Sequence, residues 1–290
     1  MPICGVRVER SSGRKKRVKI ASMDELIFLK LGGSLITDKT RPFTARLEKL
    51  ADLAAQIADA RRANPGLLLV LGHGSGSFGH TVAREYATRQ GVSNSLRRYW
   101  QGFSKVWYQA SALNRLVMDA LQTAGEDTLT FSPVSAVIAR QGKIAHWNLA
   151  PLQRALASGM LPVVHGDVVF DEILGGTILS TEDLFAHLAR ILRPQRILLA
   201  GLERGVWADY PSRTRLVKKI TPANFEQIRA GVGASHGADV TGGMDSKVRQ
   251  MLALAAEIPG LRVQIFSGDE PGLLARGLRG ETVGTQICAK

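Results

Sequence analysis

Short apolar runs recur along the chain, each closed by glycine or a polar turn, and the stretches between them carry the three-to-four spacing of helices. Residues 26–31, 67–71, 160–165, 196–200 and 261–266 are near-continuous aliphatic runs, with 281–287 a more polar one. Such runs predict strands covered on both faces. Residues 44–62, with Leu47, Leu50, Leu53, Ala54 and Ile57 on one side, predict a helix, as do 97–124, 149–157, 183–192 and 244–257. Shorter elements are expected as strands at 129–131, 135–139 and 143–146, a hairpin around 171–176, and helices at 81–89, 224–230 and 271–276. Strands that alternate with helices predict an α/β fold, an open three-layer αβα sandwich on a mainly parallel sheet. The pattern divides the chain into a basic extension (1–22), a first lobe (23–193) and a second lobe (194–290).

The first two strands both run into glycine. Gly32-Gly33-Ser34 follows one, and Gly72-His-Gly-Ser-Gly-Ser-Phe-Gly-His80 follows the other. In a parallel sheet these loops share the carboxyl edge, where ligands bind. Glycine lets backbone N–H groups approach an oxyanion, and a following helix adds its positive end. With a helix at 81–89, His80 stands at its entrance. Gly74 to Gly79 matches G-x-G-x-x-G, yet the acid that a dinucleotide site needs about 20 residues later is missing, because residues 91–105 contain none. No G-x-x-x-x-G-K-[ST] and no H-E-x-x-H occurs.

Lysines beside glycine loops point to phosphoryl chemistry instead, where negative charge spreads over several oxygens. Lys30 interrupts an apolar strand and requires a partner. Lys39 follows Gly32-Gly33, and Lys247 follows Gly242-Gly243. Asp183 falls in the first turn of a helix capped from Ser180, where complementing the helix dipole is the plain alternative to a catalytic role. The wide stripe of residues 100–121 reads as core packing, or in part as the wall of an apolar pocket.

The formal net charge of the 290 residues is +13. Residues 7–19 hold seven cations against Glu9, so this extension is the strongly basic part. It reads as a nucleic-acid arm, as a solvated tail or as the product of a misassigned start, and nucleic acid is not the expected partner. Cys4 and Cys288 form no framework or metal-ligand spacing. No apolar run reaches the roughly 18 residues of a membrane span. A cytoplasmic protein is the expectation.

Lys30-Leu-Gly-Gly-Ser34 with Thr37-Asp-Lys39, Gly72 to His80, Pro162-Val-Val-His-Gly-Asp167 and Gly242-Gly-Met-Asp-Ser-Lys247 together resemble the amino acid kinase superfamily. Within it the T-D-K and S-F-G-H elements are most similar to the isopentenyl phosphate kinases. The resemblance implies ATP and Mg²⁺, isopentenyl phosphate as acceptor and a homodimer, and no carboxylate cluster in the sequence announces a protein-bound metal site. It assigns Lys30, Lys39 and Lys247 to the nucleotide phosphates, with Gly32, Gly33, Ser34, Gly201, Gly242 and Gly243 as their cradle. It gives the acceptor phosphate to His80, with Gly74, Gly76, Gly79, Gly166 and Asp167 around it, and makes Asp183 the aspartate that orients the lysines. A prenyl tail then needs an apolar wall, expected from Phe103, Val106, Trp107 and Ala110. One departure stands out: related kinases show T-D-V-D-G-V-Y where this chain has Ala200-Gly-Leu-Glu-Arg-Gly-Val-Trp207. Rival readings are a fosfomycin kinase, or a ligand-binding or nucleic-acid-binding protein on the same fold.

Overall fold

The computed structural model describes residues 25–92, 95–229 and 243–290. The basic extension and the Gly231 to Gly242 part of the glycine-rich segment lie outside them. The first third reads β1 (Glu25–Leu31), a single turn α1 (Gly33–Ile36), α2 (Leu47–Ala63), β2 (Leu67–His73), α3 (Gly76–Glu85) and α4 (Leu96–Thr123). Then come β3 (Thr128–Thr130), α5 (Pro133–Ala136), β4 (Val137–Arg140), β5 (Lys143–Trp147), α6 (Ala150–Ala157), β6 (Leu161–His165), β7 (Asp167–Asp171), β8 (Gly175–Leu179) and α7 (Thr181–Leu192). The last part holds β9 (Arg196–Gly201), β10 (Val206–Trp207), β11 (Leu216–Val217), β12 (Lys219–Ile220), α8 (Pro222–Arg229), α9 (Gly243–Glu257), β13 (Arg262–Ser267), α10 (Leu273–Leu278) and β14 (Thr285–Ile287).

Eight strands form one sheet in the order β12-β14-β13-β9-β1-β2-β6-β3. Its pairings are parallel except β13 with β14. The sheet continues without a break from β1 to β9, so both proposed lobes share it. A second sheet, β5-β4-β7-β8, stands beside it, and β10 pairs with β11 in a small ribbon.

Strand alternation sorts the core into two halves. Leu26 and Phe28 of β1 pack with α6, α7 and α9, whereas Ile27, Leu29 and Leu31 pack with α2, α4 and α10. Helices therefore cover both faces, which is the expected three-layer sandwich. Lys30 has the parity of Leu26 and Phe28, so its side chain is directed to the face that α7 covers.

Three local expectations change. The helix expected at 81–89 starts five residues earlier at Gly76, ends at Glu85 and is followed by a 3₁₀ turn at Thr88–Gln90. Gly76 has φ +49°, and the Ser77 N–H bonds the Thr37 hydroxyl at 3.0 Å, which starts the helix inside the glycine loop. His80 is consequently inside the first turns of α3 rather than at its entrance. Residues 133–136 form a turn of helix before β4, because Pro133 presets the first helical position. The last strand shrinks to Thr285–Ile287, since Gly284 takes φ +63°.

The two glycine loops touch. A Cβ on Gly33 would lie 2.5 Å from the Gly76 nitrogen and 2.7 Å from its Cα, both backbone atoms that cannot step aside. Gly33→Ala is accordingly expected to lower stability by about 1–3 kcal/mol, the usual cost of forced overpacking. Urea unfolding measures it, and an unchanged midpoint would contradict this packing.

Candidate active site

The carboxyl ends of β1, β2 and β9 and the start of α7 enclose a cavity of about 310 Å³. Backbone bonds lock its loops together. Gly32 N donates to Ala200 O at 2.8 Å, Gly74 N to Leu31 O at 3.0 Å, and Gly166 N to His73 O at 3.2 Å. Thr181, the first residue of α7, donates its hydroxyl to the same His73 carbonyl at 2.6 Å.

Most residues singled out from the sequence converge here. Lys30, Gly32, Gly33, Ser34 and Lys39 line one wall, and Gly201, Gly243 and Lys247 another. Gly74, Gly76, Gly79, His80, Gly166 and Asp167 also line it. Gly242 lies outside the described residues. Lys39 projects from a turn tied by Asp38, whose carboxylate accepts from Thr40 N at 2.8 Å, the Thr40 hydroxyl at 2.6 Å and Arg41 Nε at 2.8 Å. The Thr40 hydroxyl, then Arg41, bring the Asp38 pKa down to about 2.

Two expectations require correction. Glu182, not Asp183, is the carboxylate between the lysines: its Oε1 ion-pairs with the Lys30 ammonium and lies 3.8 Å from Lys247 Nζ. Asp183 is occupied by the helix start, where it forms a reciprocal capping box with Ser180. Ser-x-x-Asp is the sequence sign of such a box, so it could have assigned Asp183 to the cap and left Glu182 for the site. The second correction concerns the apolar wall. Of the four residues expected there, Val106 lines the cavity, joined by Ala83, Ile178 and Leu179. Trp107, one position further round the helix, is 41% exposed, whereas Phe103 and Ala110 are buried in packing outside the cavity lining.

Glu182 is buried, and burial alone would raise its pKa. The charges of Lys30 and Lys247, with the hydrogen bond from Lys30, outweigh that and bring it down to about 2. Below the acceptor loop the His73 and His165 rings stack at 5.3 Å, with His73 Nε2 3.1 Å from Asn114 Oδ1. Burial, then the neighbouring His165, lowers the His73 pKa to about 3 and keeps that ring neutral.

At the other end, the departure from the family motif builds its own structure. Glu203 accepts the Trp207 indole N–H at 2.8 Å and lies 3.1 Å from the Arg213 guanidinium. Glu203, Trp207, Tyr210 and Arg213 all line the cavity. None of these four was assigned a role from the sequence, because β10 and the turn after it carry no periodic signal.

Residues 25–267 match the model of the amino acid kinase family. The chain belongs to that family. It is 35% identical over 275 residues to an isopentenyl phosphate kinase of Methanothermobacter thermautotrophicus, covering 91% of this chain and 100% of the relative. A second relative of the same name, from Haloferax volcanii, is 35% identical over 260 residues, with 87% and 99% covered. A crystal structure of an isopentenyl phosphate kinase superimposes with a TM-score of 0.77 at 31% identity, covering 91% of this kinase and 100% of that chain.

Glu182→Gln removes the charge paired with a buried ammonium and is expected to cost about 3 kcal/mol, the lower figure for breaking a buried pair. Because the folded pKa is depressed, the ionic contribution is complete above the unfolded carboxylate range and is lost as pH falls toward about 2. The stability gap between wild type and Glu182→Gln should thus be constant near neutrality and narrow below about pH 4.5. Melting curves from pH 2 to 8 test it, and a gap that ignores acid pH would remove the ionic role.

Proposed function

We propose that this kinase transfers the γ-phosphoryl group of ATP to isopentenyl phosphate, giving isopentenyl diphosphate and ADP. One observation carries the reading: a single cavity joins lysines and glycine loops to His80 and to the apolar wall of Ala83, Val106, Ile178 and Leu179. An alkyl phosphate has the same division, with a charged end and an apolar tail.

The chemistry follows from the acceptor. A phosphate monoester, with a second pKa of about 6, is already largely ionised at pH 7 and needs no base to remove a proton. One of its oxygens bonds to the γ-phosphorus as the bond to the β–γ bridging oxygen breaks, and that electron pair leaves on ADP. In this reading His80 donates a hydrogen bond to the acceptor phosphate. Lys30, Lys39 and Lys247 balance charge on the transferring group, and the backbone N–H groups around Gly32 to Ser34 hold the nucleotide phosphates. Glu182 keeps Lys30 and Lys247 converged before the nucleotide arrives.

Kinases of this family use ATP, and Mg²⁺ is proposed to accompany it. Among the described residues no group of three or more His, Cys, Asp or Glu side chains could hold a metal, and Glu182 is taken by two lysines. The residues present do not fit a protein-held ion, so Mg²⁺ is assigned to the nucleotide's own phosphate oxygens and no step passes through it. No described helix is long and apolar enough to cross a membrane. The proposal includes a cytoplasmic homodimer, with a first lobe (23–193) that holds the acceptor and a second lobe (194–290) that holds the nucleotide together with the Lys30 to Lys39 segment of the first.

Purified protein with ATP, Mg²⁺ and isopentenyl phosphate should release ADP and isopentenyl diphosphate. His80→Ala should cut turnover by about 10²-fold, the scale of a lost electrostatic group. Turnover of fosfomycin alone, or a fully active His80→Ala, would replace this reading.

The apolar wall has a separate test. Val106→Phe should raise the KM for isopentenyl phosphate by about tenfold through overpacking, whereas Trp107→Ala should leave it within about twofold. The reverse pattern would move the tail to the outer face of α4.

A further inference from the structure

Asp183 and Gln250 stand outside the cavity lining, yet they meet one helical turn from its central ion pair. Asp183 Oδ2 accepts from Ser180 N at 2.9 Å and the Ser180 hydroxyl at 2.6 Å. Its other oxygen, Oδ1, accepts from Gln250 Nε2 at 3.1 Å, and Arg89 Nη2 lies 3.9 Å from Oδ2. Gln250 follows Lys247 by three residues on α9, so the two share a helix face. Asp183 follows Glu182 directly. The α7–α9 contact is thus made twice in adjacent positions, once by ions and once by a hydrogen bond.

The two contacts differ in what they can fix. Lys247 is a third exposed and sits 3.8 Å from Glu182 on a flexible four-carbon stem, so its own contact does little to fix its aim, while the buried Val248, Met251 and Leu254 set the overall rotation of α9. Gln250 is shorter, and it donates to a carboxylate whose second oxygen is already held by two bonds from Ser180. That carboxylate cannot turn to follow it. Between two and three turns further along, the helix pair is joined by an exposed bridge from Arg190 Nε to Glu257 at 2.8 Å.

We propose that Gln250, through Asp183, is a positioning residue that pins the first turns of α9 to the start of α7 and thereby holds the Lys247 ammonium over Glu182. The proposal rests on Lys247 being a nucleotide-side cation. Asp183 then serves the lysines indirectly, by receiving the side chain that aims one of them.

Steady-state kinetics on the intact chain test it. Gln250→Leu keeps the bulk and removes the donor, and it should raise the KM for ATP by at least about tenfold, the scale of a hydrogen bond to a charged group. The KM for isopentenyl phosphate and the melting temperature should stay close to wild type. Gln250→Glu places two carboxylates together and should be at least as impaired. Adding Asp183→Asn to it should restore the ATP KM, because the asparagine oxygen still accepts from Ser180 while its amide donates to the new glutamate. Arg190→Ala should leave the ATP KM unchanged. An unaltered ATP KM in Gln250→Leu, beside a raised one in Lys247→Ala, would overturn the positioning role alone. An unaltered ATP KM in Lys247→Ala would overturn the assignment of Lys247 and the proposal with it. Both KM values rising together with a fallen melting temperature, without rescue by the double variant, would reduce the contact to a structural one and overturn the proposal.

Discussion

Two ammonium groups that converge on one cavity repel each other, and Glu182, whose Oε1 meets both, is what lets the fold keep them there. Its carboxylate is buried and would prefer to be neutral; the lysines hold it ionised, and it in turn gives Lys30 a counter-charge inside a strand. Each charge removes the desolvation problem of the other. The consequence reaches beyond the pair, because Lys30 belongs to β1 at the centre of the sheet, Glu182 to α7 and Lys247 to α9. The ion cluster is therefore also the point where three separate parts of the chain must agree in position.

That agreement is enforced by close backbone approach. Gly33 and Gly76 pass with no room for a side chain, and Gly32, Gly74 and Gly166 each donate to a carbonyl from a neighbouring strand end. Loops tied in this way hold their N–H groups in fixed directions before any ligand enters. Charge stabilisation by groups already in place costs no reorganisation at the moment of transfer. The stacked His73 and His165 rings extend the same logic downward, since His73, held neutral by burial, gives the glycine loop that follows it a packed floor.

How much of this could be read in the sequence depends on whether a feature has a period. The sandwich was legible, because strands covered on both faces are continuous apolar runs and helices carry a stripe. Lys30 was legible for the same reason: a charge inside an apolar run announces a partner. Which partner was less plain. Ser180-Thr-Glu-Asp183 offers two acids one position apart, and about 100° of helix rotation decides which faces the sheet. The error at Trp107 has the same origin, since Val106 beside it is the residue that reaches the cavity. The early start of α3 depended on a contact with Thr37, forty residues away, which no local pattern encodes. Glu203, Trp207 and Arg213 are joined by a turn with no repeat at all.

The departure at residues 200–207 has a chemical meaning in this setting. The cavity is lined by Lys30, Lys39 and Lys247 with their glycines, and a free carboxylate among them would repel the triphosphate proposed to bind there. Glu203 avoids this because both its oxygens are engaged, one by the Trp207 indole and one by Arg213. Its charge is compensated locally. The loop then lines the cavity with Trp207, Tyr210 and an Arg213 whose charge is offset by Glu203, and its two aromatic rings suit a flat heterocycle. The loss of the two aspartates thus coexists with an intact contact of Glu182 with Lys30 and Lys247, and the Glu203 to Arg213 loop supplies its own compensated charge instead.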